Sequence, residues 1–364
     1  MKALIVQGVL FGDEGKGATV DYLCRQHPNT SLVVRYGGGA QCAHTVITPD
    51  NKVHTFSQFG SGTLAGVPTY LSKYVRFRPD LLLSEALELE ALGVKDPLWM
   101  VNVSENCLIT TIYHQLASER AATLHNRGTC GMGVGQTARY AEQYPQDALY
   151  VRDMGDEWIV RYKLTLMKIR LDLDAFAPKI EAVTNDLMLC FRRIQVCNAA
   201  WWQRKRYQGT VIFEGHQGAL LDKDKGFKPY VTSSDCSYRQ ADKLLEMYTG
   251  ERDYYAVMRT YATRHGVGDF PGETHELDHL IEPHNLTGQY QGEFRRGFLD
   301  LALIQRGLAI LNREQHPAIK LVITHMDSLL HMHDFFDMQA FAKPLGLEVA
   351  ILGYGARATE WKST

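Results

Sequence analysis

The sequence is poor in the features that mark several protein classes. It contains no run of 18 apolar residues, so nothing in it predicts a membrane-spanning helix. Neither sign of charge is in excess: 39 Lys+Arg stand against 41 Asp+Glu, and a formal net charge of -2 gives no global basic field for gripping a nucleic-acid backbone. Its cysteines, at positions 24, 42, 107, 130, 190, 197 and 236, form no CxxC pair and no regular framework, which predicts reduced thiols in a cytoplasmic compartment. The opening Met-Lys-Ala-Leu-Ile-Val reaches a glycine-rich turn by Gly12, too soon for the apolar run and cleavage site of a signal peptide. Low-complexity linkers, charge blocks and internal repeats are missing as well, so the expectation is one large domain over residues 1–364.

What is present reads as an ordinary folded chain, with 45% hydrophobic residues and 22% charged and none of the composition of disorder. Short apolar runs closed by glycine or polar residues recur at Lys2 to Gly8, Leu32 to Arg35, Val211 to Phe213, Tyr255 to Tyr261 and Leu321 to Thr324, and each predicts a buried strand. Between them lie helical patterns: one starting near Gly15, and one from Asp300 to Asn312 in which Leu301, Leu303, Ile304, Leu308 and Leu311 recur at helical spacing. Strands alternating with helices predict an α/β fold with a mostly parallel sheet covered on both faces, its ligand lying beyond the carboxyl ends of the strands. The basic run Gln203-Arg204-Lys205-Arg206 beside Trp201-Trp202 reads as a solvated helix end rather than a nucleic-acid patch, because four residues carry little specificity. Tyr150 to Leu173 fits a packed cap helix, with no chemistry assigned to it.

Two segments carry chemistry. Gly8 to Gly17 reads GVLFGDEGKG between the first strand and the following helix. Glycines let backbone N–H groups approach an anion, the helix N-terminus adds a positive dipole end, and Lys16 supplies a charge for outer phosphates. The spacing is longer than a Walker A motif, and Gly17 stands where Ser or Thr would hold magnesium. Asp13, a hard oxygen ligand within the loop, is therefore the candidate for the metal. Val34 to Thr45 reads VRYGGGAQCAHT, a second strand entering a glycine turn and reaching His44, whose imidazole suits proton shuttling or hydrogen bonding to a developing oxyanion.

The paired segments GDEGKG and RYGGGAQCAHT resemble the signature of adenylosuccinate synthetases, WGDEGKG followed by RYQGGHNAGHT. Four more segments follow in the same order: GTCGMGVG (Gly128 to Gly135), FEGHQGALLD (Phe213 to Asp222), PYVTSS (Pro229 to Ser234) and YATRHGVGDFP (Tyr261 to Pro271), the last against the family's YSTRVGAGPFP. The resemblance spans roughly residues 2 to 300. It implies a P-loop-like adenylosuccinate synthetase fold and a ligase reaction in which a nucleoside triphosphate phosphorylates O6 of a purine nucleoside monophosphate and L-aspartate then displaces phosphate at C6. It also implies Mg²⁺ and a homodimer. Asp13 would take the N1 proton, His44 would stabilise charge on O6, and Lys16 and Gln217 would complete the catalytic set. The triphosphate would lie on Gly12, Glu14, Gly15, Lys16, Gly17, Thr45, Asp327 and Gly355. The monophosphate would meet Asp13, Gln41, Thr129, Arg139, Gln217 and Thr232; aspartate would meet Gln291, Gly292, Arg295 and Arg296. The metal positions are Asp13 and Ala43.

The family pattern breaks in places that bear on specificity. The aspartate loop TTGRRRRTGWLD becomes YQGEFRRGFLD from Tyr290 to Asp300, keeping Arg295 and Arg296. The base-reading TKLD becomes Thr324-His325-Met326-Asp327, which loses the lysine and makes ATP or dATP as open a donor as GTP. Gly37, Ala40, Gln41, Cys42 and Ala43 replace the family's Gln, His, Asn, Ala and Gly. The chain also resembles compact archaeal members and the viral branch that makes 2-aminoadenylosuccinate from dGMP, in which case the compartment would be a host cytoplasm. The reading therefore favours dGMP over IMP as acceptor, against which stands the retained Asp13. A nucleotide-dependent switch protein is the alternative of another class, and a metal site on His325, His331 and His333 is a further one, with spacing unlike a regular zinc pattern.

Overall fold

A computed structural model describes the chain except residues 126–130, 174–176, 281–291, 313, 317 and 332–337. Ten strands form its main sheet: β1 (Lys2–Gly8), β2 (Thr30–Arg35), β3 (Thr69–Leu71), β4 (Val101–Ser104), β5 (Gln195–Cys197), β6 (Thr210–Glu214), β7 (Glu251–Arg259), β8 (Lys320–Thr324), β9 (Glu348–Gly353) and β10 (Trp361–Ser363). Their spatial order is β10-β9-β8-β7-β1-β6-β2-β3-β4-β5. Every neighbouring pair runs parallel except β9 with the edge strand β10. The first strand thus sits centrally, and the loops that leave β1, β6, β2, β7 and β8 meet along one carboxyl edge.

A central parallel strand is apolar on both faces, and β1 shows why. Ala3 and Ile5 enter one core with Val34, Phe213, Ala256 and Leu321, while Leu4 and Val6 enter another with Val20, Val33, Ile212 and Val257. Helix α1 (Lys16–Gln26) covers the second face through Val20 and Leu23. The helix expected over Asp300 to Asn312 is Leu301–Ile310, capped by the Asp300 carboxylate, which accepts the Leu303 N–H at 2.7 Å. A third core gathers helices Pro79–Ala91, Glu157–Arg170 and Ile180–Phe191 around Leu82, Leu89, Leu164 and Leu187. The cap helix expected between Tyr150 and Leu173 is Glu157–Arg170.

Two readings change. The strand expected over Tyr255 to Tyr261 is instead Glu251–Arg259, because the Thr260 N–H and Oγ1 turn to the carbonyls of Thr324 and His325 and end the ladder. The chain then leaves the sheet, and Ala262–His265 pairs antiparallel with Phe294–Gly297. In the basic run, Arg206 is buried rather than solvated, and it donates to the carbonyls of Leu244 and Glu246 at 2.8 Å each. Trp202 beside it is buried too, stacked on Tyr70. Among the described residues no helix is long and apolar enough to cross a membrane.

Candidate active site

The loop between β1 and α1 is built on backbone that few residues tolerate. Gly12 and Gly15 take φ of 98° and 85°, open to glycine, but Asp13 between them takes φ 56° with a side chain. Gly15 is the N-cap of α1, and no side chain caps that helix, so its first N–H groups remain available to an anion. Glu14 folds back to accept the Leu10 N–H, and Thr324 Oγ1 from the end of β8 donates to the Glu14 carbonyl at 3.0 Å. Arg259, at the end of β7, donates to the Asp13 carbonyl. Lys16 is buried, with Nζ 3.9 Å from Glu14 Oε2. Burial pushes the Glu14 carboxyl up to about 7, only partly countered by the Lys16 charge. The loop is thus tied to its neighbours on one side, while the Asp13 carboxylate stays about one-third exposed.

Its other side is the loop after β2. A Cβ placed on Gly17 would sit 2.7 Å from His44 Cβ, so the imidazole loop lies directly against the start of α1. His44 Nδ1 is 2.6 Å from Glu214 Oε1, both groups buried. Ser61 donates to the same carboxylate through N–H, at 3.0 Å, and through Oγ. Burial holds the imidazole below its ordinary value, with the Glu214 bond pulling it back up. Burial likewise pushes the Glu214 carboxyl up, but His44, Arg35 and Ser61 outweigh it and leave it below the usual range. Arg35 also braces the turn, donating to the carbonyls of Ser57 and Cys42 at 2.6 and 2.5 Å. An ionised carboxylate thereby fixes the imidazole and orients its Nε2.

Gln217, after β6, packs its backbone on Gly12 and Gly8 and itself takes φ 50°. Gln41 is half-buried in the β2 loop, its Oε1 without a hydrogen-bond partner among the described residues. Thr232 lies in a segment held by Arg76, whose Nη1 donates to Ser234 Oγ at 2.8 Å and Nη2 to the Ser233 carbonyl at 3.1 Å. Arg139 is exposed and reaches the same place: its Nη1 and Ser233 Oγ lie 3.7 and 3.9 Å from the position of a Cβ on Gly135. Thr129 lies outside the described residues.

Within the segment expected to bind aspartate, Phe294–Gly297 forms a hairpin with Ala262–His265. Arg295 is committed within the protein: its fork grips Glu273, with Nε 2.6 Å from Oε1, and Nη1 donates to the carbonyls of Gly266 and Gly268. Arg296 is less engaged, with Nη1 3.8 Å from Asp278 and a buried Nε unpartnered among the described residues. Gly292, at φ 85°, packs on Gly266; Gln291 lies outside the described residues. Beyond β8, Asp327 is exposed in a short 3-10 turn, and Gly355 is held through its carbonyl by Trp361 Nε1 at 2.8 Å. Of the three histidines considered as a metal site, His325 bonds Thr324 Oγ1 through Nδ1 at 2.8 Å, and His333 lies outside the described residues. Sequence reasoning assigned nothing to Glu214, Arg76 or His265, although an acid ending a buried strand and a histidine in the Tyr261 to Pro271 motif were both visible.

Among the described residues no three His, Cys, Asp or Glu side chains gather as a closed metal cage. A single accessible carboxylate can serve Mg²⁺, which takes one or two carboxylates and completes its shell with phosphate and water. The partly exposed Asp13 carboxylate, in a loop beside an uncapped helix N-terminus, offers such a place, with the exposed Ala43 next to His44 on the adjoining loop.

A parallel sheet carrying at one edge a glycine loop with a buried lysine, and beside it a carboxylate-fixed imidazole, defines an α/β protein built to handle phosphate. Comparison with known proteins makes the class particular. The family model for adenylosuccinate synthetase matches residues 5–335. An adenylosuccinate synthetase of Edwardsiella ictaluri (strain 93-146) is 30% identical over 379 residues, covering 99% of this chain and 84% of that protein. One of Acaryochloris marina (strain MBIC 11017) is 30% identical over 301 residues, 76% of this chain and 64% of that relative's length. The chain belongs to the adenylosuccinate synthetase family, a family of carbon–nitrogen ligases. Fully ligated adenylosuccinate synthetase from Plasmodium falciparum shares its fold with a TM-score of 0.83 at 18% identity, covering 99% of each chain. So does cyanophage S-2L succinoaminodeoxyadenylate synthetase (PurZ) bound to dGMP and dATP as an energy donor, with a TM-score of 0.70 at 15% identity over 100% of this chain and 95% of that one.

Proposed function

We propose that this chain joins L-aspartate to C6 of a 6-oxopurine nucleoside monophosphate through a 6-phosphoryl intermediate, with hydrolysis of a nucleoside triphosphate. The observation that carries the reading is the contact of the two loops, which sets the Glu214-fixed imidazole of His44 against Gly17 at the start of the phosphate-binding helix. A purine 6-oxo group leaves poorly, so it must be phosphorylated before an amine can replace it. Asp13 takes the N1 proton, which drives negative charge onto O6. His44, oriented by Glu214, and Gln217 hydrogen-bond that oxygen as it attacks the γ-phosphorus. Lys16 and the N–H groups of the loop and α1 hold the triphosphate and balance the charge moving between its oxygens. Asp13 and Ala43 would hold Mg²⁺, and the chemistry that ion would supply is neutralisation of phosphate charge. Arg296 then presents the aspartate carboxylates so that the amine displaces inorganic phosphate at C6, while Arg295 stiffens the hairpin through Glu273. Thr129, Thr232 and Arg139 take the 5′-phosphate, with Arg139, exposed as it is, crossing to a second copy in a homodimer. The site belongs to a single catalytic domain over residues 1–364.

The favoured acceptor is dGMP, giving 2-amino-2′-deoxyadenylosuccinate, with ATP or dATP as donor. The support is the altered β2 loop (Gly37, Ala40, Gln41, Cys42, Ala43), the missing lysine before Asp327, and a fold shared with a protein whose structure holds dGMP and dATP. The second reading, IMP with GTP, is favoured by the retained Asp13 and by the curated relatives. A phosphate-release assay with L-aspartate, crossing dGMP and IMP against ATP and GTP, separates them: turnover with dGMP and none with IMP supports the first, and the reverse refutes it. Phosphate release that needs neither aspartate nor a monophosphate would instead indicate a nucleotide switch. Asp13→Asn and His44→Ala are expected to abolish turnover while retaining nucleotide binding.

A further inference from the structure

We infer that His265 is a specificity-determining residue that reads the 2-position of the acceptor purine. The inference rests on the proposed function and deepens its choice of acceptor. It comes from the order of loops along the carboxyl edge. The neighbouring strands β2, β6, β1 and β7 are followed in the chain by His44, Gln217, Asp13 and His265 respectively. A 6-oxopurine presents O6, N1–H and the 2-position in that sequence around one edge of its six-membered ring. With O6 toward His44 and Gln217, and N1 toward Asp13, the 2-position turns to the β7 side of Asp13, where His265 stands.

The local geometry agrees. His265 Nε2 is 3.4 Å from Asp13 Oδ2, so the imidazole adjoins the group that meets N1. In the tautomer that carries its proton on Nε2, the nitrogen beside that carboxylate, Nδ1 is the acceptor of the ring. Nδ1 is buried and has no hydrogen-bond partner among the described residues. The ring is held from behind: Phe294 lies 4.9 Å away across the hairpin, where His265 and Phe294 are directly paired. A 2-amino group is a donor and would satisfy such an acceptor; the C2–H of a hypoxanthine would not. The family motif YSTRVGAGPFP has valine where this chain has His265, and valine offers no acceptor at all. A packing role against Phe294 alone would leave both purines equally served, and this difference is what experiment can read.

The test compares full-length wild type with His265→Val and His265→Gln, measuring kcat/KM for dGMP and IMP with aspartate and ATP, and binding of each monophosphate by calorimetry. His265→Val is expected to lower kcat/KM for dGMP by about 10- to 100-fold and to weaken dGMP binding, with IMP changed less than about threefold. His265→Gln, which restores an acceptor, is expected to recover most of the preference for dGMP. An unchanged dGMP-to-IMP ratio in His265→Val, or equal losses on both, overturns the inference while leaving the ligase function standing. Wild type that neither binds nor turns over dGMP overturns the acceptor assignment and this inference together. If His265→Val does not fold, His265→Met, of similar size and lacking a strong acceptor, carries the same expectation.

Discussion

Glu214→Gln is the sharpest probe of the imidazole loop, because it removes one charge and almost no volume. Glu214 is 1% exposed and accepts three hydrogen bonds: from His44 at 2.6 Å, from the Ser61 N–H at 3.0 Å and from Ser61 Oγ. A hydrogen bond to a charged group contributes about 1.5–3 kcal/mol and a neutral one about 0.5–1.5 kcal/mol. The exchange therefore takes about 1–1.5 kcal/mol from the stabilisation that His44 is proposed to transmit to O6, a fall in kcat of about 5- to 13-fold. The glutamine amide can also turn its NH₂ to His44 and select the wrong tautomer, which deepens the loss. In the role proposed for it His44 acts on charge that develops in the reaction, so KM for the monophosphate should change little. Steady-state phosphate release at saturating aspartate measures both constants. A kcat within about twofold of wild type would refute the role given to the pair, and an equal rise in KM with kcat unchanged would make it a ground-state binding contact. Glu214→Ala is a different perturbation. It leaves the Ser61 donors without their acceptor and removes the carboxylate charge that the nearby Arg35 charge faces in a dry core, and stability should fall by about 3–5 kcal/mol in urea unfolding.

Gly17→Ala places a Cβ 2.7 Å from His44 Cβ, which must part the two loops; a stability loss of about 1–3 kcal/mol in urea and a fall in kcat of at least about tenfold are expected, and wild-type activity would contradict the contact. Arg295→Lys breaks the fork on Glu273 that stiffens the hairpin, so KM for aspartate should rise about tenfold with the nucleotide constants unchanged. His114 provides a pH test away from the chemistry: burial and the Arg78 charge push its pKa from 6.5 down to about 3. Its neutral form is the folded one, so stability from this group is full above 6.5 and falls by about 1.4 kcal/mol per pH unit below it, until the folded value is reached. Between pH 6.5 and 5 the group alone removes about 2 kcal/mol, and His114→Gln should flatten the urea midpoint over that interval by this amount. A wild-type slope unchanged in the variant would show that other groups govern the acid limb.

How much of this could be read beforehand divides along a physical line. Strand ends were legible wherever an apolar run met glycine, as at Gly8 and at Arg35, because both signals are local. What the strands bring together was not legible. His44 and Glu214 stand 170 positions apart and meet only because β2 and β6 are neighbours in the sheet. Arg295 and Arg296 carried an aspartate-binding expectation from their motif alone, and nothing local announced that the turn bearing Glu273 would occupy the fork of Arg295. Backbone strain was equally hidden, and it carries information about function. Asp13, Gln217 and His325 take φ of 56°, 50° and 59° at the loops of one carboxyl edge. Holding a non-glycine residue there costs about 1–2 kcal/mol, and glycine at any of the three would remove the cost. A loop already rich in glycine, with Gly12 before Asp13 and Gly15 two positions after it, had that solution at hand, so the carboxylate at this strained position fits the role proposed for Asp13 at the purine better than a role in the fold.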